Sequence, residues 1–313
     1  MAPRTFRFAM QARPLDDHDG LVAAARLIES LGYEELYSYD HIGAVDPFIP
    51  LIVAAEATTR LCVGPLVLNN ELHHPALLAR TAATVDRLTG GRLVLGIGTG
   101  YAQDEHDAVG IPLRDPRARV DRFEESIVAL RMLLDKGAAQ LDGAHHQLHL
   151  DDLGIRPLQT RVPLLIGGHG RRVVAIAARH ADIFQFTGLT HAEDGRLSAG
   201  GFAIEAVRER ARWLADCAGD RLGGIERSAL VQHVEVLGDL AADSTDFDTH
   251  LAELAERFQV SAEVLAGTPF VLVGSPQQIV DKLERLRADV GITHYVVRDA
   301  EAFAPVVAAL AGR

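Results

Sequence analysis

The 313-residue chain is 48% hydrophobic and carries a formal net charge of −12, with 31 basic against 43 acidic side chains. That balance argues against a nucleic-acid partner, which demands a basic face, while the apolar share suffices for a large buried core. No run approaches the roughly 18 uncharged apolar residues of a membrane span, and the first residues, Met1 to Phe8, lack the apolar core of a signal peptide.

Eight short apolar runs alternate with helical patterns. Phe6–Ala12, Glu35–Asp40, Leu61–Leu68 and Arg92–Gly98 are the first four predicted strands. Pro163–Gly167, Asp182–Thr187, Ala229–Leu237 and His294–Arg298 are the last four. Most are near-continuous apolar runs, the pattern of parallel strands buried on both faces. Val120, Phe123, Ile127, Leu130 and Leu134 form a helical stripe behind Asp115 as N-cap and Pro116 in the first turn. Ser275-Pro276-Gln277-Gln278 reads as a capping box ahead of Ile279, Leu283, Leu286 and Val290. The alternation predicts one α/β domain over residues 1–313, most economically a (β/α)8 TIM barrel, with an open doubly wound sheet as the alternative. Excursions at 138–162 and 238–275 are expected to decorate the C-terminal rim, and they, with 101–115 and 190–200, would shape a substrate pocket. Cys62 and Cys217 stand apart without metal or redox spacing. They suit a reducing cytoplasm, the expected location.

The strand ends carry the candidate chemistry. Ser38-Tyr39-Asp40-His41 closes the second strand, where a His beside a carboxylate suits general acid/base work. The alternative is an Asp that caps the next helix. Gly64-Pro65 interrupts the third strand and suggests a bulge, with Asn69 and Asn70 beyond it as amide donors and acceptors. Arg92–Gly98 runs into Gly96-x-Gly98-x-Gly100, whose spacing is not the dinucleotide fingerprint. That fingerprint also needs a helix opening inside the motif, whereas the next helix start is expected only at Asp115-Pro116. The glycines read instead as a platform for a flat ligand. Gly167-Gly168-His169-Gly170-Arg171-Arg172 feeds a helix N-terminus and is the predicted anion site, with Thr187-Gly188 as further donors. His145-His146-x-x-His149 falls on an alternating, strand-like segment and reads as a polar hairpin; no metal site is expected.

In this order and spacing, Ser38–His41, Leu66–Asn70, His74-Pro75, Gly90–Gly100, Ile166–Arg171 and Val273–Gln278 resemble the bacterial luciferase-like superfamily of flavin- and deazaflavin-dependent oxidoreductases. The similarity covers nearly the whole length. It is greatest to an actinobacterial branch of oxidoreductases that use coenzyme F420, an 8-hydroxy-5-deazaflavin. The resemblance implies a cofactor ring lying across the C-terminal rim. Leu66, Val67, Leu68 and Asn69 would support it through a third-strand bulge, often built on a non-prolyl cis peptide. Asp40 and His41 would stand beside the ring, and Thr99 and Gly100 at the ring or its side arm. Gly167, Gly168, His169, Gly170, Arg171, Thr187 and Gly188 would hold the phosphate.

The implied activity is hydride transfer between F420 and a small organic substrate, in the direction of C=C or C=N reduction. His41, Asp40 and Tyr101 are the candidate catalytic residues. One departure matters. In the sugar-phosphate dehydrogenases of the superfamily a glutamate follows Gly-x-Gly, and here Tyr101 does. Lys136 and Lys282, the two lysines of the chain, fall on predicted helices, so glucose 6-phosphate oxidation is not expected. The rival readings are an FMN-dependent monooxygenase of the same fold, a flavin-binding protein without turnover, and a metal-dependent barrel hydrolase. A homodimer is expected on the same resemblance.

Overall fold

The computed structural model describes residues 4–12, 16–191, 197–237 and 245–313. Parallel pairing runs from the first strand, Arg7–Gln11, through Glu35–Ser38 to Cys62–Pro65 on one side. On the other side it runs through Ile292–Val297, Glu226–Leu230, Ile183–Phe186, Leu164–Gly167, Leu95–Gly98 and Leu68–Asn69. Cys62–Pro65 and Leu68–Asn69 are two halves of one stave, parted by Leu66 and Val67. Backbone bonds from Val63 N to Arg92 O (2.8 Å) and from Val94 N to Val63 O (2.9 Å) close the ring. The result is the expected (β/α)8 barrel.

Burial on both faces explains the apolar runs: every residue of Leu95–Gly98 and of Ile292–Val297 is buried. The helices outside pack by their stripes. Asp115 caps Pro116–Lys136 by accepting from Arg117 N and Ala118 N, and Phe123, Ile127, Leu130 and Leu134 face the core. Ser275 and Gln278 form the predicted capping box, and Ile279, Leu283, Leu286 and Val290 are buried behind it. Each such side chain removed from water contributes about 1.5–3 kcal/mol. Among the described residues no helix is long and apolar enough to cross a membrane.

Three expectations need correction. Leu61–Leu68 is not one strand, because the Leu66–Val67 peptide is cis and splits it. Ala229–Leu237 is not one strand either. The barrel strand is Glu226–Leu230, whereas His233–Val236 leaves the barrel and pairs in parallel with Val271–Gly274. The acidic Glu226 concealed the start of that strand; it is buried because Arg7 lies 2.7 Å away. Finally, a helix at Gln103–Val109 precedes the one at Pro116. Its N-cap, Ala102, makes no side-chain bond, so no capping signal marked it.

The excursion at 138–162 holds an antiparallel hairpin, Ala139–Asp142 with Gln147–Leu150. Its histidines diverge. His146 Nε2 lies 2.8 Å from Ser126 Oγ, and burial followed by nearby Arg122 pushes its pKa down to about 4. His149 Nδ1 lies 3.2 Å from Gln140 Oε1. In the other excursions, residues 192–196 and 238–244 lie outside the described residues; Thr245–Phe258 and Ala262–Gly267 are helical.

The N-terminal mouth of the barrel is filled by charge. Arg7 lies 2.8 Å from Glu34, 2.5 Å from Glu35 and 2.7 Å from Glu226, while His294 Nε2 is 2.8 Å from Glu35. Burial raises the Glu35 carboxyl, but His294 and Arg7 more than offset it and hold it down to about 2.

Candidate functional site

The opposite, C-terminal mouth opens into a cavity of about 490 Å³. Its lining includes Asp40, His41, Leu66, Val67, Leu68 and Asn69 from the second and third staves, and Thr99, Gly100 and Tyr101 from the fourth. Gly167, Gly168, His169 and Thr187 line it from the fifth and sixth. Thus most of the residues singled out from the sequence meet at one place.

His41 sits just past the end of its strand, with its ring 32% exposed. Its Nδ1 is 2.6 Å from Glu105 Oε1, and the other Glu105 oxygen accepts from Ile42 N at 3.0 Å. A carboxylate on Nδ1 assigns the ring hydrogen to that nitrogen and leaves Nε2 as acceptor. The Tyr101 hydroxyl lies 3.2 Å from that Nε2. Glu105 is the residue that sequence reading missed. It comes from the helix Gln103–Val109, which was itself missed.

Asp40 does not orient His41, although the two are adjacent in sequence. Nor does it cap the next helix, whose N-cap is Phe48 and whose entry is held by Asp46 accepting from Phe48 N and Ile49 N. Asp40 Oδ2 accepts from Asn69 N at 2.9 Å and lies 2.9 Å from His73 Nε2. It therefore ties the second stave to the far half of the broken third one. Asn69 continues the chain of contacts: its Nδ2 lies 2.9 Å from His106 Nε2, whose ring bonds the Ile111 carbonyl through Nδ1. Arg122 clamps the loop beyond, donating to Asn70 O and His73 O at 2.5 and 2.8 Å.

The break in the third stave forms part of the cavity wall. Gly96 permits it: a Cβ there would stand 2.1 Å from Pro65 O, so only glycine lets the two staves approach so closely. Gln11 Nε2 donates to Leu66 O at 2.9 Å, and its Oε1 accepts from Arg298 Nε at 2.9 Å. Arg298 in turn reaches Gln232 Oε1 at 2.9 Å. Gln11 and Gln185 also line the cavity. Both are buried polar residues flanked on each side by apolar ones, a signal that was available in the sequence and not used. Gln185 Nε2 is buried without a hydrogen-bond partner among the described residues.

The glycine loop divides. Gly167, Gly168 and His169 face the cavity, whereas Gly170 and Arg171 line an adjoining cleft with Pro116, Val120 and Asp121. Gly170 is the N-cap of the helix Arg171–His180 and supplies no side-chain bond, so first-turn amides there suit an anion. Arg172 is committed to Asp121. Gly188 does not line the cavity. A Cβ on it would stand 2.5 Å from the Phe270 ring and 2.6 Å from Phe202, so it is a packing glycine. Behind the loop lies buried Arg210, whose guanidinium donates to Thr187 O (2.7 Å), Gly201 O (2.8 Å) and His169 Nδ1 (2.9 Å). Burial pulls its pKa down to about 10. Neither lysine serves the site; Lys282 donates to Leu265 O and Val271 O, and burial pushes it down to about 7.

Comparison with known proteins supplies the context. The profile of a family described as "Luciferase-like monooxygenase" matches residues 4–294. A Beutenbergia cavernae F420-dependent glucose-6-phosphate dehydrogenase is 30% identical over 173 residues, 52% of this chain and 51% of that one. The match thus spans about half that relative's length. A Methanopyrus kandleri 5,10-methylenetetrahydromethanopterin reductase is 24% identical over 325 residues, 93% of this chain and 91% of that one. Among solved structures, an F420-dependent secondary alcohol dehydrogenase in complex with an F420-acetone adduct superposes with a TM-score of 0.73 at 17% identity, covering 97% of this chain and 99% of that one.

Proposed function

Because this chain belongs to the luciferase-like monooxygenase family, we propose that it is an oxidoreductase that uses coenzyme F420 on a small organic substrate. The observation that carries this reading is the His41–Glu105 dyad on the wall of a cavity whose neighbouring stave is apolar. The residues suit the group in kind. Leu66, Val67 and Leu68 offer an apolar face to a flat ring, and Asn69 and Thr99 offer polar contacts at its edge. The partnerless Gln185 Nε2 adds a donor that a ligand's acceptor would satisfy. The glycine loop and Arg171, at the adjoining cleft, suit a phosphate. When bound, the deazaflavin supplies a two-electron redox centre that gives or takes hydride.

The chain's own residues do the rest. His41 Nε2 hands a proton to the substrate as hydride arrives, and the Tyr101 hydroxyl beside it relays the replacement proton in from solvent. Glu105 pairs with Nδ1 and so leaves Nε2 as the nitrogen that takes up the proton and passes it on. Asp40 acts through the backbone of Asn69 and through His73 as a positioning residue. The apolar stave excludes water from the reacting face. We place the reaction in the direction of C=C or C=N reduction. A sugar phosphate is not the proposed substrate, because Tyr101 stands after the glycines and neither lysine lines the cavity. A cytoplasmic location is proposed on the free thiols of Cys62 and Cys217, and a homodimer on the family resemblance, which the mass in solution checks.

The family's description names a monooxygenase, which favours a second reading, the FMN-dependent alternative. Titration with oxidised F420 and with FMN, followed by spectral reduction, separates the two. We expect F420 to bind much more tightly. Retention of FMN through purification with no F420 binding would reverse the assignment.

A further inference from the structure

A second cluster lies outside the cavity. His233 and Glu235 stand two positions apart on the strand His233–Val236, so their side chains share one face. His250, from the helix Thr245–Phe258, meets them. One ligand atom from each of the three lies within 4.8 Å of the other two. Both imidazoles present Nε2 to a single carboxylate oxygen, Glu235 Oε2, with His233 at 3.3 Å and His250 in direct contact. Ligand bonds of 2.0–2.2 Å in a tetrahedral site put neighbouring ligand atoms about 3.3–3.6 Å apart. The His233–Glu235 separation already has that value. On the far side of the His250 ring, Glu253 Oε2 lies 3.9 Å from Nδ1, too far for a hydrogen bond but close enough to add negative charge beside the imidazole.

We propose that His233, Glu235 and His250 form a three-ligand site for a divalent transition cation of the zinc type. Two imidazoles and one carboxylate select such a cation over calcium or magnesium, which prefer all-oxygen shells. Three protein ligands leave a fourth position for water, the arrangement of an open site. All three side chains are partly exposed, at 22%, 34% and 32%, so an ion has access. The cation would staple the helix Thr245–Phe258 to a strand that begins one residue after Gln232, a cavity-lining residue.

The test is calorimetric titration of the metal-stripped full chain with ZnCl2, with Co2+ absorption as the readout of geometry. We expect one equivalent per chain, an intense visible Co2+ band, and a raised melting temperature. His233→Ala and His250→Ala should each weaken binding by about 100-fold, at least as much as losing an outer-shell partner. Glu235→Gln, which keeps the side chain's shape, should do the same, and His149→Ala on the distant hairpin should not. Affinity weaker than millimolar, a weak octahedral Co2+ spectrum, or binding undiminished in Glu235→Gln would overturn the proposal.

Discussion

Glu105 grips the His41 ring with one oxygen and the Ile42 amide with the other, so losing it frees both the tautomer and the loop that carries the ring. His41→Ala should lower kcat by roughly 10²–10⁴-fold, with cofactor affinity changed only a few-fold. Glu105→Gln keeps the shape but loses the fixed tautomer, so it should lower kcat more than Asp40→Asn does. Asp40→Asn should act instead on the melting temperature and on KM, since Asp40 holds the Asn69 amide and His73. Steady-state kinetics and thermal melts on the three variants check this ordering. Equal kcat losses in the Asp40 and Glu105 variants would remove the distinction. A contact between residues 64 positions apart is not legible from a sequence in which Asp40 and His41 are neighbours. Residue type and strand-end position were legible; partner choice was not.

At the scale of elements, the bottom and the top of the barrel respond differently to change. The Glu35 carboxyl is held at about 2, below its ordinary value of 4.5. Its stabilisation is therefore present above pH 4.5 and lost as pH falls from there toward 2. Glu35→Gln should cost about 3–5 kcal/mol at neutral pH, because Arg7 and His294 lose their shared partner. It should also flatten the acid side of the stability profile, which melts at a series of pH values read directly. At the top, Arg210→Leu leaves the Thr187 and Gly201 carbonyls unpaired. We expect a loss of about 1–3 kcal/mol for each carbonyl left unpaired and weaker cofactor binding, because His169 keeps its Thr187 contact but loses the one from Arg210. The elements themselves explain what the sequence did and did not disclose. Apolar runs and caps located the staves Leu95–Gly98 and Leu164–Gly167 and the helices Pro116–Lys136 and Pro276–Val290. Glu226 was misleading, since its charge is neutralised by a residue 219 positions away. The helix Gln103–Val109 escaped notice because it is polar and uncapped by a side chain.

For the whole molecule, a ligand that binds the closed barrel and not the unfolded chain must stabilise it. F420 at a hundred times its dissociation constant should add about 2.7 kcal/mol, seen as an upward shift in melting temperature that FMN at the same concentration does not match. The closure seam has a further consequence. Gln11 carries the Leu66 carbonyl on one side of its amide and Arg298 on the other, and the Gln11–Arg298 contact joins residues 287 positions apart. A nascent chain still lacking the last stave, Ile292–Val297, already contains His41, Glu105, Thr99 and the glycine loop. It lacks the residue that locks Gln11 in place and the stave that seals the wall. Ligand competence should therefore arrive with that stave, in one step. Released chains truncated before residue 292 should fail to retain F420, and the chain through residue 313 should retain it.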